Sequence, residues 1–357
     1  MTFAKSADTI APVQSNQQQR RGILFINLGS PTEPSPKAVR SYLNEFLMDP
    51  QVIDLPWLAR RLLVSCFILP TRPKTSAAAY ASIWRDSAPG SPLLYYSDLV
   101  TKQLVKAVED PLVLAMRYGE PSIKRAMNEL AGCDHIFLIT AYPHHADSTR
   151  TTTIEAVKAQ LGPDQTLTVM PAFYDEADYI QVLADSVRRH LPEQFDHLLF
   201  SYHGLPERHL TKADPTHSHC LQSPDCCQVP STAHASCYRH QVFATTEAVA
   251  KHLGLAADQY SVSFQSRLGR TPWLTPFTDQ RLAELPTKGV RRLAVVCPAF
   301  IADNLETLEE MGIQGRETFL AAGGESFSLL PCLNDDPAWV NLLAKWCNDP
   351  SPIPANG

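Results

Sequence analysis

Three features of this sequence combine residue types and spacings that could do chemistry: a histidine closing an apolar run, a stripe of carboxylates and a knot of cysteines. His203 ends the run His197-Leu-Leu-Phe-Ser-Tyr-His203 and is followed by Gly204 and Pro206. An imidazole at a rigid strand end can bind a metal or exchange protons near neutral pH. A satisfied, partly buried histidine fits that position alone equally well. The stripe follows at Ala302-Asp-Asn-Leu-Glu-Thr-Leu-Glu-Glu310. At about 100° per residue on a helix, Asp303, Glu306 and Glu310 fall within roughly 60° of one another, while Glu309 points elsewhere. Oxygen ligands so arranged could bind or pass a divalent cation. Acidic residues that face water at a helix N-terminus would look the same. Further back, Trp273 stands between Pro272 and Pro276. That is a rigid aromatic wall for a flat apolar ligand, or an aromatic loop packed on the core.

The cysteine knot lies within 209–240. Cys220, Cys226, Cys227 and Cys237 fall inside 18 residues of a chain with nine cysteines in 357. Four thiolates suit an iron–sulfur cluster or a structural zinc. Nearby His217, His219, His234 and His240 keep zinc or a mixed site open. Adjacent Cys226 and Cys227 on one centre would be geometrically demanding. Cys66, Cys133, Cys297 and Cys332 sit in apolar surroundings, where core packing is the expectation.

Four apolar runs must position these groups: Gly22–Gly29, His135–Thr140, His197–His203 and Arg292–Pro298. Each is nearly continuous, as in strands of a parallel sheet covered on both faces. Amphipathic stretches such as Asp178–His190 and Thr245–Leu253 lie between them. The alternation predicts a doubly wound α/β fold in two similar units, with a closing helix over Pro337–Cys347. Ligands in such folds bind beyond the carboxyl ends of the strands. Those ends read Asn-Leu-Gly-Ser-Pro, Thr-Ala-Tyr-Pro-His-His, Ser-Tyr-His-Gly-Leu-Pro and Cys-Pro-Ala-Phe-Ile-Ala-Asp.

Composition narrows the function. With 44% hydrophobic and 19% charged residues the chain can bury a full core. A net charge of −6 gives no global basic surface and argues against a nucleic-acid partner. Neither G-x-G-x-x-G nor G-x-x-x-x-G-K-[ST] occurs, so no nucleotide is expected. Residues 1–20 are polar and Gln-rich and read as a disordered tail without an export signal. No window reaches the roughly 18 apolar residues of a spanning helix. A cytoplasmic location is the expectation.

Six blocks in order carry a resemblance. They are Asn-Leu-Gly-Ser-Pro (27–31), Met-Arg-Tyr-Gly (116–119), Ser-Tyr-His-Gly-Leu-Pro (201–206), Phe-Gln-Ser-Arg (264–267), Pro-Trp-Leu (272–274) and Ala302–Glu310. From residue 22 to about 345 the chain resembles the ferrochelatases, enzymes that insert ferrous iron into a porphyrin to make haem. The resemblance implies a chelatase-like α/β fold of two Rossmann-like domains, each a parallel sheet flanked by helices, with a porphyrin cleft between them. The division expected is 21–165 and 166–330, the latter carrying the Cys-rich insert 209–240, then a C-terminal helix and tail over 331–357. It also implies that His203 and Glu306 handle metal and pyrrole protons, with Asp303 and Glu310 lining an acidic metal path. Arg117, Tyr118, Tyr80, Trp273 and Leu28 would contact the porphyrin. Arg72 would partner a propionate, since guanidinium suits carboxylate. Gln314 departs from the pattern where some members carry a further glutamate.

The substrates implied are Fe2+ and protoporphyrin IX, with coproporphyrin III, Co2+ or a non-catalytic porphyrin carrier as rivals. Some ferrochelatases hold a 2Fe–2S cluster, which makes Cys220, Cys226, Cys227 and Cys237 its expected ligands and zinc the rival. The better-known cluster forms draw most ligands from a C-terminal extension. This chain ends soon after Cys347 and resembles bacterial members with internal cysteines. Trp57–Leu69 matches a lip of the cleft in the family; peripheral contact with the inner membrane competes there with a helix buried on the domain core.

Overall fold

The computed structural model describes residues 20–349 except Leu268 and Arg270. The expected disordered tail at 1–19 and the tail after 349 lie outside the described residues. Two four-stranded parallel sheets organise the chain. The first holds β1 (Arg21–Asn27), β2 (Leu112–Met116), β3 (His135–Thr140) and β4 (Thr166–Val169) in the order β2-β1-β3-β4. The second repeats that order as β6-β5-β7-β8, with β5 (His197–His203), β6 (Tyr260–Gln265), β7 (Arg292–Val296) and β8 (Ser326–Leu329).

Residue alternation explains why β1, β3, β5 and β7 are apolar throughout. Ile23, Phe25, Phe137 and Ile139 point into a large core that also takes Leu198, Phe200, Ala294 and Val296 from the second sheet. Their neighbours Leu24, Ile26, Ile136 and Leu138 pack on the opposite face of the first sheet. Leu199, Leu293 and Val295 do the same for the second. A strand covered on both faces has no polar side to offer. The large core joins the two sheets through the helices Ala177–His190, Tyr238–Leu253 and Pro337–Asn348.

β4 pairs with β3, so the first sheet extends past the expected boundary at residue 165. The expected closing helix forms over Pro337–Asn348. It packs on the helix Pro92–Ala107 of the first half and on Ala177–His190 of the second, tying the halves together. The segment Trp57–Leu69 forms the short helix Trp57–Leu62 and the π-helix Leu63–Ile68; Val64 and Leu69 are buried in a small core with Leu47, while other apolar side chains of the segment are open to solvent. Trp57 is 63% exposed and Phe67 72%, with Leu58 and Leu62 also open to solvent. Cys66 on this segment is exposed as well, whereas Cys133, Cys297 and Cys332 are buried.

In each sheet the strand order reverses between its first and third members. That is the switch point at which open α/β sheets leave a crevice beyond the strand ends. Both crevices open into one cavity.

Candidate active site and thiol pocket

About 1150 Å³ of space, open solvent included, lies between the atoms that line the cavity. The first half lines it with Leu28 and Ser30 after β1, Tyr80 from the helix Arg72–Ile83, and Tyr142 and His144 after β3. The second half contributes His203, Leu205, Tyr238, Phe300 and Glu306. No lysine or arginine is among the lining residues.

His203 is the last residue of β5. Its Nδ1 lies 2.6 Å from the carbonyl oxygen of Gly204. A carbonyl only accepts, so Nδ1 carries a proton, and in the neutral form of this imidazole the lone pair sits on Nε2. Gly204 is required by close packing: a Cβ there would meet the backbone oxygen of Gln265 at 2.8 Å and Trp273 Cε3 at 3.3 Å. Trp273 therefore stands behind the His203 turn, paired with Pro206 by a β-bridge, and does not line the cavity. The expected aromatic wall against the ligand is instead support for the histidine.

The carboxylates ride on a π-helix, Leu305–Gly315, started by a reciprocal cap between Asn304 and Thr307. The wider turn keeps Glu306 and Glu310 on one side, but Asp303 precedes the helix and is withdrawn. Its carboxylate accepts from Asn334 Nδ2 at 2.7 Å, Thr307 Oγ1 at 3.1 Å and the Cys332 N–H at 3.3 Å. Three donors hold it away from the stripe. Burial raises the Glu306 carboxyl above the ordinary carboxylate range, while nearby His203 pulls it down. Glu310 is raised by burial too, against donation from Ser266, whose N–H lies 2.8 Å away and whose hydroxyl also bonds the carboxylate. Gln265 fixes the register between strand and helix. Its side chain donates to the Glu306 carbonyl at 2.9 Å and accepts from Ser201 at 2.6 Å. Glu309 points away and accepts from Gln314.

Arg117 and Tyr118 depart from expectation. Both are engaged by Asp49, a buried carboxylate that sequence reasoning missed. Asp49 accepts from Arg117 at 2.5 Å, from Tyr118 Oη at 3.0 Å and from Thr152. This network stands behind the cavity wall, and neither Arg117 nor Tyr118 lines the cavity. Gly29 closes the same wall: at φ +108°, a Cβ would fall 1.9 Å from the Tyr118 carbonyl oxygen. Leu28 and Tyr80 do line the cavity, and Arg72 is exposed at the start of the helix carrying Tyr80.

His144 Nδ1 is a buried polar atom without a hydrogen-bond partner on a cavity-lining residue, while Ser30 and Tyr142 have Tyr80 and Thr153 beside them. Such an atom is costly unless something satisfies it. Burial alone lowers His144 to about 3, so its imidazole is neutral.

A family model described as ferrochelatase matches residues 20–350. The chain belongs to the ferrochelatase family.

Among curated relatives, the ferrochelatase of Pseudomonas fluorescens is 52% identical over 332 residues, covering 91% of this chain and 96% of that one. The ferrochelatase of Azotobacter vinelandii is 51% identical over 92% and 98% of the two chains. Among solved structures, SirB from Bacillus subtilis with Fe3+ matches with a TM-score of 0.50 at 11% identity, covering 91% and 93%. That match speaks for the chelatase-like fold alone. Members of the ferrochelatase family insert ferrous iron into a porphyrin, making haem.

The cysteine knot is a second built feature. Cys220, Cys226, Cys227 and Cys237 are all buried free thiols. Cys237 lies beside the thiols of both Cys227 and Cys220, and Cys226 lies close enough to perturb both of those. Arg239 reaches the sulfurs of Cys226 and Cys227 at 3.6 Å each, and the Leu221 N–H points at Cys226 from 3.4 Å. Asp214 organises the surrounding turns by accepting the N–H groups of Thr216, His219 and Cys220. Burial would raise its carboxyl, but these donors hold it well below the usual carboxylate range. The nearby histidines are spent on backbone. His219 and His234 both bond the Cys226 carbonyl, at 2.7 and 3.2 Å, and His240 bonds that of Cys227 at 2.8 Å. Among the described residues, no three His, Cys, Asp or Glu side chains stand as a ready metal-holding group.

Proposed function

We propose that the cavity takes protoporphyrin IX, with His203 and Glu306 facing the ring centre as iron arrives. The observation that carries this reading is the Nε2 lone pair of the neutral His203 imidazole sharing one cavity with the raised carboxyl of Glu306. Two pyrrole protons must leave. A neutral imidazole accepts one, and a carboxylate whose proton affinity is raised toward neutral pH accepts the other. Glu310 lies one turn further and hands protons or metal along the stripe. Asp303 steadies the start of the π-helix through Thr307. Leu28 and Tyr80 contact the ring, while Arg117 and Tyr118 brace the wall through Asp49. Arg72 meets a propionate at the mouth.

The lining favours two carboxylates over four. An apolar cavity without lysine or arginine leaves extra buried propionates unpaired, which is costly. Anaerobic insertion of Fe2+ should therefore favour protoporphyrin IX over coproporphyrin III by roughly tenfold or more in kcat/KM. The reverse preference would overturn the substrate assignment. Preference for Co2+ over Fe2+ would make the protein a cobalt chelatase. Tight porphyrin binding with no insertion of either metal would make it a carrier.

We assign the four buried thiols to a 2Fe–2S cluster. The sulfurs of Cys226 and Cys227 receive N–H and guanidinium donors of the kind that stabilise an anionic cluster. A zinc site with histidine ligands is less well matched, because His219, His234 and His240 are bonded to carbonyls. The exposed apolar side chains of 55–67, with exposed Arg61, Arg72 and Lys74 nearby in the chain, suit peripheral docking on an anionic membrane surface. Among the described residues no helix is long and apolar enough to cross a membrane.

A further inference from the structure

The chain between the helices Arg72–Ile83 and Pro92–Ala107 makes a tight loop at the edge of the cavity. Ile83 and Ser91, which bound the loop, both line the cavity. The Arg85 N–H donates to the Gly90 carbonyl at 2.8 Å and pinches the loop shut. Gly90 has no room for a side chain, since a Cβ there would fall 1.9 Å from Trp84 Nε1. Arg85 is thereby held against the residue that precedes the cavity-lining Ser91. Its guanidinium carbon lies 3.8 Å from the centroid of the Tyr95 ring and 5.8 Å from that of Tyr96. Stacking of this kind fixes a guanidinium without consuming its N–H donors.

Those donors are unspent. Among the described residues the Arg85 side chain has no hydrogen-bond or ion-pair partner, and its Nε is buried. A buried guanidinium nitrogen without an acceptor is costly unless a ligand supplies one. Tyr95, on which it stacks, belongs to the first turn of the 16-residue helix Pro92–Ala107, and that turn has donors to spare as well. Ser91 is the N-cap, buried and cavity-lining, yet its side chain caps no N–H. Pro92 has no N–H, and the N–H of Tyr95 is the first to bond a backbone acceptor, the Ser91 carbonyl at 2.9 Å. The N–H groups of Leu93 and Leu94 are left without an intrahelical partner. The positive end of the helix dipole falls at the same place. From the second half, Asp303 and Asp335 bear on Tyr96, but Asp303 is spent on Asn334, Thr307 and Cys332, and neither pairs with Arg85. One guanidinium, one hydroxyl and two N–H groups gathered on one turn are a donor set for a carboxylate.

We propose that Arg85 is a specificity-determining residue which, with the open first turn of the helix Pro92–Ala107, takes one carboxylate of the ligand. This rests on the assignment of the cavity to a porphyrin, whose carboxylates are propionates. Protoporphyrin IX carries two of them on one edge of the ring. Arg72 at the mouth accounts for one, and Arg85 takes the other. The two arginines flank the helix Arg72–Ile83, which is about 18 Å long and sets Tyr80 against the cavity between them. The acidic edge of the ring therefore lies along this helix.

The test compares the full-length wild type with Arg85→Gln and Arg85→Lys on protoporphyrin IX and on its dimethyl ester in the same detergent, with binding followed by fluorescence quenching. Arg85→Gln should weaken binding of the diacid about tenfold, the scale of one charge-assisted hydrogen bond, and that of the ester by less than about twofold. The loss should appear in KM for the porphyrin rather than in kcat or in KM for Fe2+. Arg85→Lys should fall between wild type and Arg85→Gln, because it keeps the charge and loses the planar stack. A side chain that merely packs the wall would weaken diacid and ester alike. That result, or diacid binding unaltered in Arg85→Gln, would overturn the proposal. A wild type that binds neither porphyrin would instead overturn the assignment of the cavity, and this proposal with it.

Discussion

His203 and Glu306 were legible through the family blocks that contain them, since each position alone also suits a satisfied histidine or a water-facing acid. Asp49 was not legible. Its partner Arg117 lies 68 residues away, and no local pattern distinguishes it from any other surface aspartate. Gln265 and His144 were missed for the same reason, their roles being created by tertiary contact. Asp303 was misplaced because the stripe was measured on an α-helix. The chain forms a π-helix that starts after it and spends the aspartate on Asn334, Thr307 and Cys332. Glu306 carries a residue-scale consequence. Its raised carboxyl means that the folded protein holds this proton more tightly than the unfolded chain does. Ionising it therefore removes stability as pH climbs from the unfolded carboxyl range through the raised value. Glu306→Gln should melt above wild type at about pH 7.5, and the gap should close near pH 4, where both states are protonated. Equal melting temperatures at both pH values in a scanning calorimeter would contradict the burial of this charge.

At the scale of elements, the four strands read from the sequence are the two central members of each sheet. Covered on both faces, they carry the strongest apolar signal. β4 and β8, at the sheet edges, include exposed positions and lack it. The cysteine insert was visible as a density of thiols, but its convergence on Cys237 depends on turns built around Asp214. Two of its residues, His217 and Leu221, adopt positive φ values of 55° and 63°. The turn at Gly204 is where element geometry meets catalysis most closely. Gly204→Ala would press a methyl against the Gln265 backbone and Trp273, displacing the end of β5. A shift of this kind in a reacting group lowers kcat by roughly tenfold or more. The folded state should survive, as read by an unchanged far-ultraviolet spectrum. A variant with wild-type kcat would show that the β5 terminus tolerates the movement.

Across the whole molecule, two similar sheets face a common cavity, and the helix Pro337–Asn348 packs against helices of both halves. The duplicated architecture was readable from the repeated strand–helix alternation; the clasp was not, since nothing in a helix's sequence says which neighbour it covers. The exposed face at 55–67 gives a molecular prediction. Replacing Trp57, Leu58 and Phe67 with serine should abolish co-sedimentation with anionic vesicles and leave melting nearly unchanged, because exposed side chains contribute little to folding. Unaltered sedimentation would remove the membrane from the picture. The central claim is that groups from the second half act on a ring held between both halves. Its most direct test is anaerobic insertion of Fe2+ into protoporphyrin IX by wild type, His203→Ala and Glu306→Gln, with porphyrin binding followed by fluorescence quenching. Both variants should bind porphyrin within a few-fold of wild type and lose about 10²-fold or more in kcat, the scale of a missing proton acceptor. Insertion at the wild-type rate by either variant would contradict the assignment of that residue to the ring centre.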